Sequence, residues 1–127
     1  MDLGQSKAGE IDQHIFRDVN GSTYIIWKTD DNSLRPPAGL LTRIWAQEIV
    51  IDATSGTVRQ LGSPRKIMDS TGLWWVDSWV SGGSLVEGPE IVQTNGYYYL
   101  FFAAGKYCQT SYSVRPPAIR RSACDST

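Results

Sequence analysis

The sequence is poor in the residues that carry most easily recognised site chemistries. Its 127 residues include one histidine, His14, and two cysteines, Cys108 and Cys124. Neither cysteine has a CxxC or Cys/His neighbour, so no metal-binding signature is present. Two cysteines are also too few for a disulfide scaffold. The default reading is two unpaired thiols, with one Cys108–Cys124 bridge left open for a secreted chain. Excess charge is missing too: 12 Lys+Arg face 13 Asp+Glu, for a net charge of −1. That balance gives no basic stripe for nucleic acid. No apolar run is long enough to span a bilayer. The polar stretch 1–10 lacks the apolar centre of a signal peptide. No segment keeps a helical apolar period over three turns.

What is present points to β structure. Apolar residues make up 41% and charged residues 20%, a globular composition, and the length allows one ordinary domain. Five Trp and six Tyr are many for this length. They suit strands, and they also suit flat platforms for sugar rings.

His14–Val19 and Ser22–Lys28 read as strands joined by Asn20-Gly21, a strong hairpin signal. Thr29–Leu40 contains Pro36-Pro37 and Gly39 and reads as a loop. Arg43–Ile51 is a third strand, with Ile44, Ala46 and Glu48 on one side and Trp45, Gln47 and Ile49 on the other. Ala53–Gly56 turns into a short strand, Thr57–Leu61. Gly62–Gly83 is punctuated by Pro64, Gly72 and Gly82-Gly83. Two more strands follow, Glu90–Gln93 and Tyr97–Ala103, around Asn95-Gly96.

The last pair repeats the first. From 12 to 87 is 75 positions, and so is the step from Asn20-Gly21 to Asn95-Gly96. Phe16 then falls on Ile91, Tyr24 on Tyr99, and Ile25-Ile26-Trp27 on Leu100-Phe101-Phe102. On this alignment Asp12 and Glu87 occupy the same place at the openings of two strands. Four short strands followed by a return to the first pattern describe a propeller blade, and 75 residues suit one blade with inserted loops. Hairpin repetition alone leaves a β-sandwich open; the matched acids favour the propeller.

Five motifs occur in order: Ile11-Asp12-Gln13-His14-Ile15-Phe16; Asn20-Gly21 with Tyr24-Ile25-Ile26-Trp27-Lys28; Arg43-Ile44-Trp45-Ala46-Gln47-Glu48; Val86-Glu87-Gly88-Pro89-Glu90; and Gly96-Tyr97-Tyr98-Tyr99-Leu100-Phe101-Phe102. Together, from about Ile11 to Tyr112, they resemble glycoside hydrolase family 43. The resemblance implies an all-β fold, here about two blades of a five-bladed propeller. It implies hydrolysis, with inversion, of arabinose- or xylose-containing polysaccharides or oligosaccharides. By motif, Glu87 matches the family's general acid and Asp12 the Asp that tunes the acid's pKa and orients it. Such an acid works at neutral pH when a nearby carboxylate disfavours its ionised form. An inverting base must stand ~6.5–9.5 Å away, with water between. Gln13 stands where the family commonly has Pro.

No first blade precedes Asp12, so Asp2 does not inherit the general-base role. After Tyr112-Ser113 the next expected strand meets Pro116-Pro117, and 114–127 reads as a divergent tail behind a partial propeller of 11–113. A truncated hydrolase, inactive or nearly so alone, is the expectation. Open blades would leave unpaired strand edges, an aggregation hazard. Some relatives hold a metal ion at the propeller centre, but the sequence offers no ligand set, and no cofactor is expected. Carbohydrate is the expected partner, with no nucleic acid or membrane. The resemblance suggests an extracellular location.

The remaining candidates have plainer readings. Asp18 reads as a turn acid and His14 as a packed strand residue. Lys28 and Asp30-Asp31 read as solvated. Gln47 could reach a sugar hydroxyl or simply lie on a strand surface. Trp45, Trp74, Trp75 and Trp79 are each more often core than platform. A different class remains open: a non-catalytic carbohydrate-binding module built on Trp74–Trp79.

Overall fold

The computed structural model describes residues 8–31, 41–71, 85–105, 112–115 and 118–120. The Trp74–Trp79 cluster, both cysteines and Asp2 lie outside these residues. The described strands are β1 (Glu10–Arg17), β2 (Thr23–Thr29), β3 (Arg43–Asp52), β4 (Thr57–Asp69), β5 (Val86–Thr94), β6 (Tyr97–Ala104), β7 (Ser113–Arg115) and β8 (Ala118–Arg120). β1 to β4 form one antiparallel meander in chain order, and β5-β6-β7 form a second sheet with β8 also on β6. No helix among the described residues is long and apolar enough to cross a membrane.

The two sheets pack face to face. Ile26 and Ile44 of the first meet Val86, Leu100, Phe102 and Ala104 of the second, with Phe16, Tyr24 and Ile91 against them. Fully burying an aliphatic or Phe side chain of this kind contributes ~1.5–3 kcal/mol. Phe16 stacks on Tyr24 at 6.5 Å and meets Tyr98 edge-on at 5.9 Å. Polar contacts also join the sheets. Buried Thr42 accepts the Val86 N–H at its hydroxyl, 2.7 Å away, and the Tyr98 hydroxyl donates to Asp18 at 2.7 Å. This is the arrangement of two successive propeller blades, each a meander begun by its own leading strand.

The two leading hairpins differ by one residue. In the second, Thr94 pairs with Tyr97, and Asn95 and Gly96 both take positive φ, 51° and 77°. That is the two-residue turn Asn-Gly favours. In the first, Arg17 pairs with Thr23 and the Asp18 N–H reaches the Ser22 carbonyl at 2.8 Å. Its loop is therefore Val19-Asn20-Gly21, where only Gly21 has positive φ. The extra loop residue shifts the leading strands. Ile11 pairs with Lys28 just before a bulge in β1, and Glu87 pairs with Ala103 just before the matching bulge in β5. Structurally, then, Asp12 matches Gly88, each with φ 57°, and Glu87 matches Ile11. The expectation that Asp12 and Glu87 occupy the same place is corrected by one step.

Two further boundaries move. β4 does not stop at Leu61; it continues to Asp69 by setting Gly62-Ser63-Pro64 opposite Gln47 alone. A bulge tolerates Pro because no ladder N–H is needed there. Beyond Tyr112, pairing to β6 continues: Phe102–Arg115 and Tyr99–Ala118 obey one register on either side of residues 116–117. The sided reading of the third strand holds, since Ile44 packs in the inter-sheet core while Gln47 is buried across the strand.

Candidate functional site

β1 and β5 begin, and β2 ends, at the same end of the sheets. There the bulges gather Asp12, Glu87, Lys28, Asp30 and Tyr112. Asp12 is exposed, and its left-handed backbone is one that Asp accepts more readily than bulkier residues. Its Oδ2 accepts the Gly88 N–H at 3.0 Å. Gln13 closes the bulge by donating from Nε2 to the Glu10 carbonyl at 2.8 Å. Gly88 is exposed while Pro89 is buried, so the backbone after Glu87 is bare and anchored.

Glu87 is held on both oxygens. Tyr112 donates its hydroxyl to Oε1 at 2.8 Å, and Lys28 Nζ lies 3.4 Å from Oε2. The Lys28 side chain is 2% exposed, and its ammonium also meets Asp30 Oδ1 at 3.0 Å. Glu87 and Asp30 keep 21% and 25% of their side-chain surface, so both carboxylates reach solvent while the lysine does not. Two acids thus flank one buried cation, and Asp12 sits beside them on the Gly88 N–H. Partial burial, and then the hydrogen bond to Glu87 with the nearby Glu87 and Asp12 charges, push the Tyr112 hydroxyl up to about 12.

The structure brings both predicted acids together and adds Lys28 and Asp30, which the sequence reading left in solvent, and Tyr112, to which it gave no role. Lys28 was expected in solvent; it is buried because Tyr24, Ile26 and Lys28 share the core-facing side of β2. That alternation was a readable signal. Asp31, also expected in solvent, is 6% exposed and bonded to Arg43 at 2.7 Å. Gln47 is 1% exposed, and its amide donates to the Leu61 and Glu48 carbonyls. From a buried position it bridges the backbones of two neighbouring strands. Asp18 is the turn acid expected, accepting from the Val19 N–H at 2.7 Å. Tyr112 joined the site with no local sequence signal, since it lies 25 positions from Glu87. Among the described residues no group of three or more His, Cys, Asp or Glu could hold a metal ion; the charge between Glu87 and Asp30 is Lys28's own.

Such a cluster can hold a proton donor against a substrate oxygen and fix it with a second carboxylate. The model of Glycosyl hydrolases family 43 matches residues 1–124. No curated protein sequence matches. Among solved structures, a thermostable family-43 glycoside hydrolase is similar at 25% identity and a TM-score of 0.72, covering 94% of this chain and 36% of that one. An endo-arabinase from Bacteroides thetaiotaomicron VPI-5482 is similar at 16% identity and 0.66, covering 86% and 37%. An endo-1,4-beta-xylanase from the same organism gives 22% and 0.55, covering 86% and 32%. The chain spans about a third of each.

Proposed function

Because the chain belongs to glycosyl hydrolases family 43, we propose that its acidic cluster is the proton-donating part of a glycosidase site. Its substrates are arabinose- or xylose-containing polysaccharides or oligosaccharides. The observation that carries this reading is the Asp12–Gly88 hydrogen bond, which sets the tuning carboxylate beside the segment bearing Glu87.

Glu87 protonates the departing glycosidic oxygen as the bond to the anomeric carbon breaks. Tyr112 and Lys28 hold its carboxylate in one orientation, which matters because proton transfer requires hydrogen-bond reach. Tyr112 keeps 38% of its surface exposed beside the acids and offers a ring face to a sugar. Inversion requires a base across the sugar from the acid. Asp30 shares Lys28 with Glu87 and so lies on the acid's own side. Asp30 therefore does not serve as that base, and with no base assigned among the described residues the expected turnover by this chain alone is low.

Reducing-sugar release from arabinan, arabinoxylan and aryl glycosides tests this. The expected result is a rate near background. Robust turnover lost in Glu87→Gln, by ~10²–10⁴-fold, would overturn the inactivity and keep the acid. Robust turnover that survives Glu87→Gln would overturn the acid itself.

A further inference from the structure

The bulge in β4 opens a second polar pocket, away from the acids. Across Gly62-Ser63-Pro64 the pairing of β4 with β3 jumps from Ala46–Arg65 to Glu48–Leu61, and Gly62 makes the bend at φ 68°. The loosened ladder leaves a cavity of about 440 Å³ lined by Tyr24, Ala46, Glu48, Leu61, Ser63 and Arg65. That is within the ~300–1,000 Å³ typical of small-ligand sites. Tyr24 lies four residues before Lys28 on β2, or ~13 Å along an extended strand. The pocket and the acid cluster are separate places.

Its lining is chemically open. Glu48 is half-buried, yet among the described residues its carboxylate takes part in none of the ion pairs, which are Lys28–Asp30, Lys28–Glu87, Arg43–Asp31 and Lys66–Asp69. Arg65 is in none either. A partly buried carboxylate and an exposed guanidinium line one cavity without meeting, so each can exchange water for the hydroxyls of a ligand. Their charges cancel, so the pocket selects neither cations nor anions. An aromatic side chain, Tyr24, completes the wall. A neutral polyhydroxylated ring satisfies all three: hydroxyls donate to Glu48, accept from Arg65, and the ring's C–H face lies on the tyrosine.

We propose that this pocket is a second carbohydrate-binding site, independent of Asp12 and Glu87, for a neutral mono- or disaccharide unit. It would hold a sugar without cleaving it, since no described carboxylate pairs with Glu48 across the cavity. A chain with both sites would grip a polysaccharide away from the bond being cut.

Amide NMR titration of the full chain with xylobiose and with arabinobiose tests this. Saturable shifts are expected at Tyr24, Ala46–Glu48 and Leu61–Arg65. Affinity at those residues should fall about 10-fold or more in Glu48→Ala and in Arg65→Ala, both on strands whose amide spectra report folding directly. Glu87→Gln should leave it unchanged, so failure of the acid-site reading would not touch this one. Shifts confined to the Asp12–Glu87 region, or none at either sugar, would overturn the proposal. So would saturation by glycine betaine in place of the sugars, which would make the pocket a zwitterion site.

Discussion

Asp12 and Gly88 are structural counterparts in two successive sheets, and the first accepts a hydrogen bond from the second. They share φ 57°, and Asp12 Oδ2 takes the Gly88 N–H at 3.0 Å. The two bulges thus lean on each other, and Asp12 supports the backbone next to Glu87.

Substitutions at Asp12 should separate this bond from the backbone requirement. Asp12→Asn keeps an acceptor and tolerates left-handed φ, so its urea midpoint should stay close to that of the parent. Asp12→Val loses both, and should cost ~1–3 kcal/mol at unchanged m-value. Equal midpoints for the two variants would contradict the geometry.

Lys28 gives an asymmetric prediction. Lys28→Met keeps the buried stem and leaves Glu87 and Asp30 to water they already touch, so the loss should be modest, ~1 kcal/mol. The double change Glu87→Gln with Asp30→Asn removes both counter-charges from a buried ammonium and should cost more, ~3–5 kcal/mol. Chemical denaturation of both variants compares them; the reverse order would show that Lys28 is not sequestered.

Thr42 ties the sheets together. Thr42→Val leaves the Val86 N–H without its partner in a buried setting and should cost ~1–3 kcal/mol, whereas Thr42→Ser should restore most of it. Denaturation midpoints that are the same for Val and Ser would remove the hydroxyl from the account.

Tyr112 supplies the pH test. Its hydroxyl is raised from 10.0 to about 12 in the folded chain. A raised group stabilises the fold fully below its unfolded pKa and loses that contribution as pH rises through the folded one. The window is therefore pH 10 to about 12. Ultraviolet titration of phenolate, with Tyr112→Phe identifying the signal, should show Glu87→Gln moving the midpoint down but not to its ordinary value, because burial is the larger cause. No movement would mean that the Tyr112–Glu87 bond does not form.

Much of this was legible because strands write their faces with period two. Ile44 opposite Gln47, the paired hairpins and the two acids could all be read that way. The one-residue slip between Asp12 and Glu87 was not legible, because Asn-Gly occurs in both a two-residue and a three-residue loop here and looks the same in each. Pro64 misled in the same manner: it ends a regular strand but rests comfortably in a bulge. Tyr112 reaches Glu87 through tertiary packing, which no local pattern encodes.

The Gly62–Pro64 bulge has one more effect, on how the molecule meets its own kind. Outermost in its sheet, β4 presents a bent rim studded with exposed Arg59, Arg65 and Lys66. Another chain arriving with a straight strand finds the carbonyl and amide rows out of step, two arginines in the way and a lysine paired with Asp69. That rim resists strand-on-strand stacking along β4.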